Sequence, residues 1–305
     1  MNKKNRKTNG TGADSPLLRI RGLTKQYKSG GYGGMGAQSL YALKDIDLDL
    51  YPGEVLSIIG ESGSGKTTLA RCILQREKIQ SGRIDSIWGT IQRGAPEQHS
   101  RQIQGNPLGP DTTISSRDLY RKIQLVPQAT QNSLNPWRRV DQLLDPILRR
   151  TSGRGNSMQT ARDNIQTAKE ELMELCGLSP AFLKRYPGEL SGGQRQRVLI
   201  ARALAMEARL IIFDEPVSSL DVSIQARLLN TLLELKEEYG LSYVFITHDL
   251  DIAEYISDRM AIIHNSRILE SGPVEEIVQH PREEFTRTLL EAGLKKQNWL
   301  DSFIS

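Results

Sequence analysis

The stretch Glu54 to Glu77, "EVLSIIGESGSGKTTLARCILQRE", decides the fold. A short apolar run from Val55 to Ile59 stops at Gly60, and beyond Lys66 the apolar positions Leu69, Cys72 and Ile73 recur at helical spacing. The segment predicts strand, loop and helix. Between the two elements, Gly60 to Thr67 reads "GESGSGKT" and satisfies GxxxxGK[ST] in the context that the motif requires. Its glycines let backbone N–H groups turn toward an anion, the helix start adds its dipole, and Lys66 sets a charge against β and γ phosphates. Ser62, Gly63, Ser64, Gly65 and Thr68 complete the cradle, and Thr67 is placed to hold Mg²⁺. A glycine turn that merely started a helix would not need lysine and threonine at those two places.

Upstream, Ile46, Leu48 and Leu50 alternate with Asp45, Asp47 and Asp49, the period-two pattern of a half-buried strand with its aspartates toward water. A calcium loop starting at Asp45 would need glycine at its sixth place and glutamate at its twelfth, where Leu50 and Leu56 stand. Gly31, Gly33 and Gly36 match GxGxxG, but no strand pattern precedes them and no helix pattern follows, which leaves a flexible loop at 29–37. Downstream, the apolar runs "RLIIFDE", "SYVFITHD" and "MAIIHN" alternate with helical stretches such as "IQARLLNTLLELKEEYG", where Gly240 supplies a stop. Such alternation predicts an α/β fold, a mostly parallel sheet with helices on both faces. Residues 137–186 carry helical pattern without strands and read as an inserted helical subdomain, whereas 83–118 are polar and irregular and take no place in this scheme.

Composition narrows the class. No apolar run approaches the roughly 20 residues of a membrane-spanning helix, so a membrane role would come through a partner. Residues 1–15 are polar and basic without the apolar stretch of a secretion signal, and read as a disordered cytoplasmic tail. Cys72 and Cys176 sit in apolar helical patterns without CxxC spacing, so both are expected as buried thiols. A net charge of +4 is too small for a nucleic-acid footprint.

The remaining chemistry lies at strand ends. Asp214 and Glu215 close "LIIFDE": Asp214 is suited to orient the magnesium shell and Glu215 to polarise an attacking water. His248 follows "YVFIT", where it could donate to a γ phosphate, although a lone histidine is usually structural. Gln128 in "IQLVPQ" could contact metal and water or sit in a plain surface loop, and Tyr27 in "LTKQYKSG" could stack on a base or simply pack. A second loop, Ser191, Gly192 and Gly193, offers a hydroxyl and backbone donors at a helix start but no lysine. It would assist a site held by another subunit, which points to a head-to-tail pair.

Together these residues resemble the nucleotide-binding subunits of ABC transporters. The motifs are "GESGSGKTT" as Walker A, Gln128 as Q-loop, "LSGGQ" as signature, "LIIFDE" as Walker B, "SSLD" with Asp221 as D-loop, and His248 as switch histidine. The resemblance covers roughly 17–290 and implies an ABC-type P-loop NTPase with an antiparallel β subdomain, holding ATP and Mg²⁺ between two such domains. It places Tyr27 as the A-loop aromatic. It also implies an ATPase domain at 16–272 and a C-terminal extension at 273–305. "SLNPWRRV" at 133–140, "RYPGELSGGQRQRV" at 185–198 and "HPREEFTRTLLEAG" at 280–293 are similar to the branch that imports peptides or nickel. Arg282, Glu283, Glu284 and Phe285 depart from that branch's "HPYTRxLL", and the cysteine-rich C-terminal cluster of some relatives is missing. The branch implies a second, related ATPase chain, two permeases, an extracytoplasmic substrate-binding protein, and a place on the cytoplasmic face of the membrane. The alternative is a soluble ABC ATPase of a non-transport complex such as the carbon-phosphorus lyase system.

Overall fold

The computed structural model describes residues 15–28, 39–94, 112–130, 133–151, 158–218 and 220–297. The expected tail up to residue 14, the glycine-rich loop 29–37 and the 95–111 part of the polar stretch lie outside the described residues. The chain opens with strands β1 (Leu18–Lys28) and β2 (Ser39–Leu50), then β3 (Val55–Ile59) and helix α1 (Lys66–Ile73). Next come β4 (Ser81–Ser86), β5 (Gly89–Arg93), α2 (Ser116–Lys122) and β6 (Ile123–Val126). Helices α3 (Val140–Thr151), α4 (Met158–Leu175) and α5 (Gly192–Ala205) follow without an intervening strand. The last part alternates β7 (Leu210–Asp214), α6 (Val222–Tyr239), β8 (Ser242–Thr247), α7 (Leu250–Ile256), β9 (Arg259–His264) and β10 (Arg267–Pro273), and closes with α8 (Val274–Gln279) and α9 (Glu284–Gln297).

Two sheets result. One runs β10-β9-β3-β8-β7-β6, parallel from β9 to β6 with β10 antiparallel at its edge; the other is antiparallel, β2-β1-β4-β5. Both faces of the parallel sheet are covered, which is why its strands read as continuous apolar runs rather than alternating ones. Ile211, Phe213, Tyr243 and Phe245 point into one core with the buried faces of α5 and α6, and Phe213 meets Tyr243 edge-on at 5.2 Å. Leu210, Ile212, Val244 and Ile246 point the other way, toward α1 and the antiparallel sheet. A third cluster joins Ile59, Met260 and Ile262 to Leu250 and Ala253 of α7, Val274 and Ile277 of α8, and Leu290 of α9.

In β2, Asp45 and Asp47 face water as the alternation requires, while Asp49 pairs with Arg21 across β1 at 2.5 Å. Gly240 ends α6 in the left-handed conformation at φ 60°, the stop that the sequence signalled. Residues 83–93, which the sequence reading left unplaced, complete β4 and form β5. Their side chains alternate poorly because Arg83 and Asp85 are paired with each other inside the sheet instead of facing solvent. The register of β1 on β2 slips where Lys25 faces Leu43 and Gln26 faces Tyr41, leaving Ala42 between them. That slip presses the Ala42 carbonyl against the phosphate loop, where a Cβ at Gly65 would lie 2.2 Å from it. Among the described residues, no helix is long and apolar enough to cross a membrane.

Candidate functional site

The loop from Gly60 to Gly65 joins the C-terminal end of β3 to the first turn of α1. Gly63 and Gly65 hold φ of 82° and 108°, conformations that a side chain resists. Gly60 is excluded from bearing a side chain for a different reason: a Cβ there would meet the Ile263 carbonyl at 2.2 Å. Lys66, 5% exposed, turns back over the loop and donates from Nζ to the carbonyls of Gly60 and Glu61, at 2.7 Å each. Burial pulls its ammonium below the usual lysine range, opposed by the carboxylates of Glu215, Asp214 and Glu61. The Ser64 hydroxyl is buried with no hydrogen-bond partner among the described residues, a donor free for an incoming oxygen. These features fit a polyphosphate: one cation, one orphaned hydroxyl and a backbone opened by glycine.

Asp214 ends β7 beside this loop, as parallel pairing of β7 with β8 and of β8 with β3 requires. The Thr67 hydroxyl donates to Asp214 Oδ1 at 3.1 Å. Burial raises the Asp214 carboxyl above its ordinary range, with the Thr67 hydrogen bond acting against it. A hydroxyl and a carboxylate side by side are the hard oxygen donors that Mg²⁺ takes, so the pair fits that ion. Glu215 comes next in sequence but faces a different set of partners. Its Oε2 accepts from Gln128 Nε2 at 2.9 Å and lies 3.3 Å from Nδ1 of His248. Its backbone is left-handed at φ 49°, with the N–H donating to the Ile246 carbonyl at 2.9 Å. The two adjacent carboxylates are thus separated by the chain itself, one turned into the loop and one toward the ends of β6 and β8.

Ser218, which sequence reasoning gave no role, completes this cluster: its hydroxyl donates to the Glu215 carbonyl at 3.1 Å and lies 3.5 Å from Gln128 Nε2. Its one signal in the sequence is its place at the head of "SSLD", the motif that ends in Asp221. Asp221 itself caps α6, accepting from Ile224 N at 3.1 Å and from the Ser223 hydroxyl at 2.9 Å. Those two bonds hold its carboxyl below the usual range.

Ser191, Gly192, Gly193 and Gln194 form the first turn of α5. Ser191 Oγ accepts from Gln194 N at 3.3 Å and Gln194 Oε1 accepts from Ser191 N at 2.8 Å, a reciprocal cap. No hydrogen bond or ion pair among the described residues connects this turn to the phosphate loop. Its neighbours are on α6 and just before it, since a Cβ at Gly193 would stand 3.3 Å from Leu220 and 3.6 Å from Ile224. The structure therefore gathers Lys66, Thr67, Gln128, Asp214, Glu215 and His248, and sets the turn at Ser191 beside the start of α6 instead. Tyr27, 38% exposed, stands near the end of β1 opposite Leu40, two residues before the Ala42 slip. Cys72 and Cys176 are both buried and unpaired, and burial pushes each thiol up to about 12.

Comparison with known proteins gives the family and the fold. The family described as ABC transporter matches residues 43–218. The oligopeptide transport ATP-binding protein OppF of Streptococcus mutans is 38% identical over 276 residues, covering 90% of this chain and 81% of that protein. The di/tripeptide transport ATP-binding protein DppF of Pseudomonas aeruginosa is 34% identical over 277 residues, 90% of this chain and 78% of that one. The glutathione import ATP-binding protein GsiA of Pectobacterium atrosepticum is 36% identical over 279 residues, and this chain spans 41% of its length. Among solved structures, a dimeric ATP-binding cassette bound to ADP and Pi in a post-hydrolysis state superposes with a TM-score of 0.63 at 27% identity. The superposition covers 85% of this chain and 99% of that one.

Proposed function

The chain belongs to the ABC transporter family as an ATPase, and from that premise we propose that it powers the import of peptides across a membrane. The observation that carries the catalytic half is the split of two neighbouring carboxylates: Asp214 on Thr67 at 3.1 Å, Glu215 on Gln128 at 2.9 Å and near His248 at 3.3 Å. The transport half rests on the relatives, whose names specify oligopeptide, di/tripeptide and glutathione transport.

In this reading Tyr27 stacks on adenine, while Gly60, Ser62, Gly63, Ser64, Gly65, Lys66, Thr67 and Thr68 bind the triphosphate. Thr67, Asp214 and Gln128 would hold Mg²⁺, which screens phosphate charge and polarises the phosphoryl oxygens. Glu215 orients water and takes its proton, and Gln128 fixes the carboxylate that does so. His248, 3.3 Å from the same carboxylate, couples the γ phosphate to the start of α7. Ser191 to Gln194 close the site of a second ATPase chain in a head-to-tail pair, and Asp221 lies where the two halves meet. The domain limits that go with this are an ATPase domain at 16–272 with a helical part at about 137–186, and an extension at 273–305. The complex would place the chain at the cytoplasmic face, under two permeases fed by an external binding protein.

The test is a mild-detergent pull-down of the tagged chain from its native membranes. Two permeases with a related ATPase are the expected catch, and the accompanying binding protein would name the cargo, peptide or nickel chelate. A soluble complex free of membrane proteins would overturn transport and leave ATP hydrolysis standing.

A further inference from the structure

Tyr27 is held by a short segment that leaves the C-terminal end of α1, Glu77 to Gln80. Gln80 N donates to the Thr24 carbonyl at 2.9 Å. The Gln80 side-chain amide then grips both backbone groups of Gln26: it accepts from Gln26 N at 2.9 Å and donates to the Gln26 carbonyl at 3.0 Å. Lys25, on the other side of that grip, sends its ammonium into the same segment. Its Nζ donates to the Lys78 carbonyl at 3.0 Å and pairs with Glu77 Oε2 at 2.9 Å. The same nitrogen stands 4.7 Å from the centroid of the Tyr27 ring.

Lys25 is 7% exposed and Tyr27 is 38% exposed. A lysine that deeply buried is costly to desolvate, and an apolar side chain of similar volume would fill the space more cheaply. What the ammonium adds is direction: one atom fixes a carboxylate, a carbonyl and the face of an aromatic ring at once. Lys25 lies inward against the Tyr27 ring, and the tyrosine as a whole keeps 38% of its surface exposed.

We infer that Lys25, acting through Glu77 and alongside Gln80, is a positioning residue for the nucleotide base: it backs the inner face of Tyr27 so that the outer face stacks on adenine. The base platform is thereby tied to the segment that follows α1, the helix whose first turn continues the phosphate loop, so base and phosphates are connected through one short stretch of chain. The inference rests on the reading of Tyr27 as the base-stacking residue.

The experiment measures, by calorimetry with Mg²⁺ present, the affinity of the full chain for ATP and for inorganic tripolyphosphate, which has no base to stack. Base–aromatic stacking corresponds to about five- to 150-fold in affinity, so Tyr27→Ala should weaken ATP within that range. Lys25→Met should weaken ATP by about five- to tenfold while tripolyphosphate changes less than about twofold. In the Tyr27→Ala background Lys25→Met should add nothing, because the two act as a unit. Lys25→Arg should return ATP affinity to near the original, since a guanidinium can both cover the ring and pair with Glu77. Gln80→Ala, which leaves the Lys25–Glu77 pair in place, is the second handle and should show the same preference for ATP over tripolyphosphate. Equal losses for the two ligands would make Lys25 a general support of the loop and overturn the inference. Additive losses with Tyr27→Ala would overturn it as well. If Tyr27→Ala weakens ATP and Lys25→Met does not, the inference falls and stacking stands; if Tyr27→Ala has no effect, stacking itself falls.

Discussion

Replacing Glu215 with glutamine separates folding from chemistry at the point where β6, β7 and β8 end together. The carboxylate accepts from Gln128 Nε2 at 2.9 Å and faces His248 Nδ1 at 3.3 Å. Glutamine keeps the volume and one acceptor oxygen for Gln128, so the structural loss is limited to about one net hydrogen bond, ~1 kcal/mol. The rate is another matter. An amide cannot take a proton from water, and a positioned base is worth about 10² to 10⁴ in rate, or roughly 2.7 to 5.4 kcal/mol of barrier. ATP binding should survive, because Lys66, Thr67 and Asp214 do not depend on this carboxylate for their hydrogen bonds. Removing a negative charge beside a polyphosphate should favour the bound state further. Steady-state phosphate release, thermal melting and size-exclusion chromatography with MgATP read all three. The expected result is ATPase activity lower by at least about a hundredfold, an almost unchanged melting temperature, and a new ATP-dependent dimer. Wild-type hydrolysis would refute the assignment of Glu215 as base, and loss of ATP affinity in proportion to rate would show that the residue binds rather than reacts.

Lys66 and Asp214 set a pH window for MgATP. Asp214 titrates above its ordinary range and must be ionised to hold Mg²⁺, so affinity should fall on acidification earlier than an unperturbed carboxylate would allow, and Asp214→Asn should abolish that limb. Lys66 titrates below its ordinary range, so the alkaline limb should begin before pH 10.5; titration calorimetry across pH checks both. Without ligand, a carboxyl raised on folding binds protons more tightly in the native state, so the Asp214 contribution to stability should diminish as pH rises through its folded pKa, as urea melts at several pH values would show. With both thiols held near 12 by burial, iodoacetamide at pH 8 should leave Cys72 and Cys176 unlabelled in the native chain and label both in denaturant; rapid native labelling would contradict their burial. Trp137 is 86% exposed in the segment after Gln128, which we propose as the surface that docks on a permease, and Trp137→Ala should lower transport per ATP hydrolysed in reconstituted membranes more than it lowers ATP affinity; a loss of nucleotide affinity alone would refute that docking role.

The phosphate loop, the strand-end carboxylates and the parallel sheet were legible because each is written in contiguous residues with a fixed period. The apolar runs around Ile58, Phe213 and Phe245 show no alternation because both faces of their strands are buried. What stayed hidden were features made by distant segments meeting. Strand β5 could not be read from "GTIQR", since its polar residues are satisfied by protein partners, Thr90 by Asp85 in the same sheet at 2.8 Å and Gln92 by the Glu77 carbonyl beyond α1 at 2.9 Å. The slip at Ala42 depends on a neighbouring strand and a loop some twenty residues away, and Ser218 joins the cluster only because the fold brings Gln128 to within 3.5 Å of a hydroxyl already bonded to the Glu215 carbonyl. Likewise, the sequence identified Ser191, Gly192 and Gly193 as donors at a helix start, but only the fold shows that Ser191 is engaged in a reciprocal cap with Gln194.

Glu215 stands in a left-handed backbone at φ 49°, held by the Ile246 carbonyl on one side and the Ser218 hydroxyl on the other. For a residue with a side chain this conformation costs on the order of 1–2 kcal/mol, a cost that glycine escapes. At this one position the fold and the chemistry want different amino acids: a chain selected only to stay folded would carry glycine where this one carries its proton acceptor. The aim of the carboxylate is consequently set by the sheet before any nucleotide arrives, and the stability forgone there is the measure of how far the site is prepared in advance.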